Sequence, residues 1–98
     1  MAATQYQVTN VTIDIANNTC LIEAQDMDFL YTIDSLDQEF EAPTATFRFS
    51  GPKEFRYLYK ICQGQSKIRS RKTKTLADTF KALTGCYVLL PDQFRVPA

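Results

Sequence analysis

Residues 45–55 read ATFRFSGPKEF, and the residue pattern of the chain changes within this stretch. In its first five residues apolar and polar side chains alternate, as in a β-strand with one buried face. After it, apolar residues recur at helical spacing and predict one buried helix face, formed by Phe55, Leu58, Tyr59 and Cys62. Pro52 suits the first turn of a helix, with Ser50 or Gly51 as the capping residue. The stretch therefore predicts a strand followed by an amphipathic helix over about residues 53–62.

The chain before this stretch has the alternation of β-structure. Apolar positions alternate through Tyr6 and Val8 and resume at Val11 with the opposite parity, which predicts a β-bulge near residues 9–10. Residues 16–19 (ANNT) predict a turn with a two-residue hairpin loop, because Asn tolerates a positive φ angle. A return strand over residues 20–24 would follow. Alternation predicts a third strand at about residues 29–33, and residues 38–41 are a candidate for a short edge strand.

The second half of the chain predicts helices and one last strand. Gly64 is placed to end the first helix. Thr75, with Asp78 three residues later, has the pattern of a helix N-cap, and Gly85 ends that second helix. The predicted fold class is α+β, in a single domain of residues 1–98. It consists of an antiparallel sheet of about four to six strands, mostly from the N-terminal half, two short helices (about 53–62 and 76–84) and a final strand (about 86–90).

The charges of the chain are divided between its two halves. Residues 1–47 hold eight acidic side chains and no Lys or Arg, whereas residues 48–98 hold all 11 basic side chains and three acidic ones. The formal net charge of zero therefore hides about −8 on one half and about +8 on the other. Such an asymmetry favours a charged partner.

The basic half predicts a nucleic-acid surface. Residues 67–74 (KIRSRKTK) form a dense basic loop directly before the second helix, whose N-terminus would also attract an anion. The solvent face of the first helix adds three cations and an aromatic ring that can stack on a base. The leading prediction is sequence-nonspecific nucleic-acid binding through Lys67, Arg69, Arg71, Lys72, Lys74, Lys53, Arg56, Tyr57 and Lys60. The competing interpretation is an ordinary solvated surface, neutralised by the acidic half of the same molecule.

The acidic half supports an alternative function. A row of carboxylates can imitate a nucleic-acid backbone, as phage-type inhibitors of host enzymes do, and a molecule with two oppositely charged ends can assemble head to tail. The alternative is thus a phage-like accessory or inhibitor protein that binds a host protein or itself. Its candidate contact residues are Asp26, Asp28, Asp34, Asp37, Glu39 and Glu41.

The composition argues against most catalytic chemistry. The chain has no His, and its three Gly cannot form a phosphate-cradling loop. Cys20, Cys62 and Cys86 are widely spaced in apolar contexts, which predicts buried thiols in a reducing cytoplasm rather than a metal site. A magnesium site of Asp14, Asp26 and Asp28 is the remaining enzymatic hypothesis. We therefore expect no enzyme activity and no cofactor, and neither a secretory signal nor a membrane span is expected.

Overall fold

A computed structural model describes residues 3–28, 43–70, 72 and 75–97 of the chain. It confirms the α+β fold. The strands are β1 (Ala3–Asp14), β2 (Thr19–Asp26), β3 (Thr44–Ser50) and β4 (Tyr87–Pro91). The helices are α1 (Gly51–Gln63), α2 (Ser66–Arg69), α3 (Leu76–Lys81) and a 3-10 helix (Asp92–Phe94).

The four strands form one antiparallel sheet in the order β3-β2-β1-β4. In a flat sheet of this order the two edge strands would lie about 14 Å apart, which is three strand spacings. The chain nevertheless passes from Pro91 at the end of β4 to Arg95, which bridges to Phe47 on β3. The three residues between them form a 3-10 helix, which rises only about 2 Å per residue. The sheet must therefore be curled, which brings its two edge strands together at this end.

One face of the curled sheet forms the core. Its side chains alternate with exposed ones along each strand, and α1 packs on β3 while α3 packs on β1. The large side chains with less than 2% exposure are Tyr6, Phe47, Phe49, Phe80, Ile22, Leu58, Leu83 and Leu90. Tyr6 on β1 meets Phe47 on β3 edge to face at 4.8 Å between ring centroids, across the small side chain of Ala24. Burial of these apolar surfaces is the main force that holds the helices on the sheet.

The β1–β2 hairpin confirms the predicted bulge and corrects the predicted loop. The pairing register shifts between Val8 and Asn10, so that side chains on both sides of the shift face the core. Asp14 pairs with Thr19, which leaves a loop of four residues, 15–18, instead of two. Within this loop Asn18 has φ +49°, and the Asp14 carboxylate accepts hydrogen bonds from the backbone N–H and side-chain amide of Asn17.

Helix α1 begins where the sequence predicts. Ser50 is the N-cap, but its hydroxyl makes no capping bond; its backbone N–H instead donates to Oε1 of Glu54 at 2.8 Å. Gly51 has φ +82°, a conformation that favours glycine, and its N–H donates to the Asn18 carbonyl at 2.9 Å. The start of α1 is thereby tied to the tip of the β1–β2 hairpin.

The buried face of α1 differs from the prediction at one residue. Phe55, Leu58 and Cys62 are buried as expected, but Tyr59 is 42% exposed. Ile61 packs against the core in its place. Tyr59 and Ile61 lie on opposite flanks of the buried face, and packing against the curled sheet turns the helix toward Ile61. Sequence spacing alone cannot choose between the two flanks.

The part of the chain after α1 carries two corrections. The basic stretch is not a loop throughout, because Ser66–Arg69 is the helical turn α2 and Ile68 within it is 2% exposed. Gly64 is the C-cap of α1 as predicted, with an ordinary φ of −71°. Helix α3 is capped by Thr75 as predicted, but it ends at Lys81 rather than near residue 84.

The turn after α3 joins the second half of the chain to the bulge in β1. Gly85 has φ +87°, and its N–H donates to the Val8 carbonyl at 2.7 Å. The last strand then follows as predicted, shifted by one residue. The strands predicted at about residues 29–33 and 38–41 lie outside the described residues. No described helix combines the length and apolar character needed to cross a membrane.

The three cysteines are buried and unpaired, as predicted. Burial raises the pKa of the Cys20 thiol from 9.0 to about 11. Burial also raises the pKa of Cys62 from 9.0 to about 12, with smaller contributions from Cys20 and Cys86. These two thiols are therefore protonated packing groups at neutral pH.

The raised thiol pKa values predict a loss of stability in alkali. Between pH 9 and about 11 the unfolded chain releases thiol protons that the folded chain retains, so unfolding becomes easier as the pH rises. We expect Cys62→Ala to be less stable than the parent at pH 8, by ~1–2 kcal/mol. The difference between the two proteins should shrink toward pH 11, because only the parent has this thiol to ionise. Urea unfolding at several pH values measures both effects, and a constant difference would contradict the prediction.

Candidate functional site

A cleft of about 570 Å³ opens between α1, β3 and the segment that follows the 3-10 helix. Three basic side chains line it: Arg48 from β3, Lys53 from α1 and Arg95 from the C-terminal segment. All three are exposed. Side chains from three separate parts of the chain therefore converge on this cleft.

The C-terminal segment is held against β3 by backbone pairing. The N–H of Val96 donates to the Thr46 carbonyl at 2.8 Å, and Arg95 bridges to Phe47. The N–H of Arg95 donates to the Asp92 carbonyl at 3.0 Å, which closes the 3-10 turn before it. This pairing covers the edge of β3 and fixes the backbone on one side of the cleft.

Three aromatic rings connect the cleft to the core. The ring of Phe94 stacks on the fully buried ring of Phe49, with centroids 4.5 Å apart and planes at 29°. The Tyr57 ring lies 5.1 Å from Phe94, tilted by 43°. Tyr57 keeps 39% of its surface exposed. An aromatic surface is thus presented to solvent in a position set by the core.

The charge of the cleft is positive. Among the described residues that line it, Glu54 is the one acidic side chain, against Arg48, Lys53 and Arg95. The Glu54 carboxylate accepts the hydrogen bond from the N–H of Ser50 and keeps its negative charge. The described lining of the cleft therefore carries a formal excess of two positive charges.

Arg95 also acts on the buried phenol at the end of the core. Burial raises the pKa of Tyr6, and the positive charge of Arg95 opposes that rise while Asp26 and Asp92 add to it. Arg95, Asp26 and Asp92 are therefore all close enough to Tyr6 for their charges to act on its phenol.

The residues predicted to bind nucleic acid divide into two groups. Lys53 and Tyr57 line the cleft, and Arg56 and Lys60 are exposed on the same helix. The others belong to the basic stretch after α1. Of these, Lys67 and Arg69 are exposed on α2, Lys72 is exposed, and Arg71 and Lys74 lie outside the described residues.

The start of the helix after the basic stretch offers little attraction to an anion. In α3 the N–H of Asp78 already donates to Oγ1 of Thr75 at 3.1 Å, and Asp78 itself places a negative charge in the first turn. With six residues, α3 is also a short helix with a small dipole.

Two of the acidic candidates lie within the described residues. Asp26 is partly buried at the end of β2, opposite Tyr6, and Asp28 is exposed. The remaining candidates, Asp34, Asp37, Glu39 and Glu41, lie outside the described residues. In the sheet, β3, which spans the boundary between the acidic and the basic half, pairs with β2, and β4 from the basic half pairs with β1. Strands of both halves are therefore neighbours in the described sheet.

The magnesium hypothesis does not fit the sheet. Asp14 pairs with Thr19 at one end of β2, and Asp26 lies at the other end. Seven residue steps separate them along the strand, a distance of about 23 Å. In the part of the chain that the structure describes, no three His, Cys, Asp or Glu side chains converge in a way that could hold a metal ion.

Sequence reasoning missed Arg48, Phe94 and Arg95. The alternation of Arg48 with Phe47 and Phe49 placed its side chain correctly on the outer face of a strand, but nothing indicated what lay beside it. Phe94 and Arg95 follow the last strand without any motif. Their position depends on the return of the chain to β3, which is a tertiary contact with no local signal.

No protein-family model, curated protein or solved structure matches this chain. The chemistry of the cleft is therefore the basis for assigning a function.

The aromatic contact at Phe94 predicts how the C-terminal segment is held. Replacing Phe94 by Ala removes the ring between Phe49 and Tyr57, and we expect the segment to detach more often from β3. The amide of Val96, which donates to Thr46, should then exchange its proton with solvent at least about tenfold faster.

Hydrogen exchange followed by NMR measures this change. Amides in the β1–β2 ladder serve as internal references, and Tyr59→Ala is the control for loss of an aromatic ring elsewhere on α1. Unchanged protection of Val96 in Phe94→Ala would show that the ring stack does not hold the segment.

Proposed function

We propose that this protein is a small non-enzymatic binding protein that contacts nucleic acid with little sequence preference. The contact surface is the cleft together with the exposed side of α1. We call it the basic surface, and its cations are Arg48, Lys53, Arg56, Lys60 and Arg95. The observation that carries the proposal is the convergence of three cations from separate segments beside an exposed tyrosine ring.

The convergence favours a ligand over an ordinary solvated surface. A solvated helix face accounts for Lys53, Arg56 and Lys60, because such a face needs charged residues somewhere. It does not account for Arg48 and Arg95, which reach the same cleft from β3 and from the C-terminal segment. Like charges held together repel, and an anionic ligand relieves that repulsion.

The arrangement suits a phosphate backbone. Lys53 and Lys60 are seven residues apart on one helix, which places them about 10 Å apart along its axis. Arg56 lies between them, and Lys67 and Arg69 follow the end of the helix. Phosphate contacts of this kind supply affinity and carry no sequence information, so little base preference is expected.

Salt dependence tests the proposal. If all five cations of the basic surface contact a single strand, the logarithm of affinity should fall against the logarithm of salt with a slope of about −3.5, at about 0.7 for each phosphate. Lys53→Gln should lower affinity and flatten this slope by about 0.7. Lys81→Gln is the matched control, because it removes one positive charge from α3, outside the cleft. Fluorescence anisotropy with labelled oligonucleotides between about 50 and 200 mM salt measures the slopes.

The same titration shows how far the surface extends. Lys67→Gln combined with Arg69→Gln should flatten the slope by about 1.4 if α2 continues the basic surface. An unchanged slope would confine the surface to α1 and the cleft. Absence of binding to single and double strands even at low salt would overturn the proposal and favour the acidic protein-partner alternative.

A further inference from the structure

We propose that the cleft holds one nucleotide of an unpaired strand, with its base against the Tyr57 ring and its phosphate among Arg48, Lys53 and Arg95. This inference rests on the proposed function and narrows it to single-stranded ligands.

The aromatic platform is the first reason. The Tyr57 ring packs against Phe94, and Phe94 stacks on Phe49, which has no exposed surface. The exposed Tyr57 ring is therefore supported by a stack of rings that reaches the core. A ring held in this way can receive a base without first being ordered, so less conformational entropy is lost on binding.

The charges beside the ring are the second reason. Lys53 is one helical turn before Tyr57, and Arg48 and Arg95 line the same cleft. One acidic side chain, Glu54, lines the cleft as well, so the three cations exceed it by two charges. A ligand with a flat aromatic part and an adjacent anion satisfies both features, and a nucleotide has both.

The size of the cleft is the third reason. Its volume of about 570 Å³ lies within the range of about 300–1,000 Å³ found for small-molecule pockets. A base inside a duplex is covered on both faces by its neighbours, so it cannot reach a ring in a cleft of this kind. The base must be unstacked, which a single strand allows at little cost.

The chain provides a matched pair of tyrosines for the test. Tyr57 lines the cleft and Tyr59 does not, although both are exposed to a similar extent, 39% and 42%, on the same helix. The experiment compares the parent with Tyr57→Leu, Tyr57→Phe and Tyr59→Leu. Each full-length protein is titrated into labelled oligo-dT and into a mixed-sequence duplex of the same length at one salt concentration.

We expect Tyr57→Leu to weaken binding to the single strand about tenfold, because one base–ring contact is lost. Duplex affinity and the salt slope should stay within about twofold of the parent, since the cations are unchanged. Tyr57→Phe should retain most of the single-strand affinity, and Tyr59→Leu should match the parent. Equal losses on both ligands, or equal losses in Tyr57→Leu and Tyr59→Leu, would overturn the inference.

A second measurement on the parent protein is independent of any variant. Adenosine 5′-monophosphate should displace oligo-dT at a concentration at least about tenfold lower than inorganic phosphate or adenosine requires, because only the nucleotide supplies both base and phosphate. Equal displacement by phosphate and by the nucleotide would also overturn the inference. If the tyrosine variants or the nucleotide competition contradict the inference, nucleic-acid binding by the basic surface is still supported as long as Lys53→Gln flattens the salt slope. Absence of any binding by the parent would remove both.

Discussion

The position of Phe94 between Phe49 and Tyr57 is the contact on which the cleft depends. Phe49 belongs to the core, so the stack transmits the rigidity of the core to an exposed ring. The same contact holds the C-terminal segment beside β3, where Val96 pairs with Thr46. Together with the backbone pairing of Arg95 and Val96 to β3, this contact places Arg95 at the cleft that Arg48 and Lys53 also line. A single side chain thus joins the fold to the proposed site.

The contact is possible only because the sheet is curled. Curling lets the short 3-10 helix carry the chain from β4 back to β3, and the returning segment covers the strand edge that would otherwise be open. The bulge near Val8 contributes, because bulges increase the local twist of a strand. The carbonyl of Val8 also anchors Gly85, which leads into β4. One irregularity in β1 thereby influences the placement of the last strand and of the segment after it.

The sequence predicts what depends on neighbouring residues. The bulge, the start of α1, the Thr75 cap and the burial of the cysteines follow from alternation, helical spacing and local hydrogen bonds. Two predictions were wrong for a different reason, namely that Tyr59 is buried and that the basic stretch is a loop throughout. Which flank of α1 is buried and whether Ile68 has a core to enter are decided by packing against distant parts of the chain.

The difference between local and tertiary contacts also explains why the charge pattern of the sequence predicts only part of the site. The dense basic stretch stands out in the sequence because its cations are adjacent. The N-terminus of α3, which follows it, is however capped by the Thr75 side chain. Arg48 and Arg95 are isolated cations, 47 positions apart, and the fold brings both to Lys53 at the cleft. What matters to a ligand is the potential in a concave site bordered by protein, where charges from separate segments add. The cations of the cleft are brought together by tertiary contacts, and they lie beside the Tyr57 ring, which packs on Phe94. The basic stretch has no such ring described beside it, so the cleft is the stronger candidate for a ligand site.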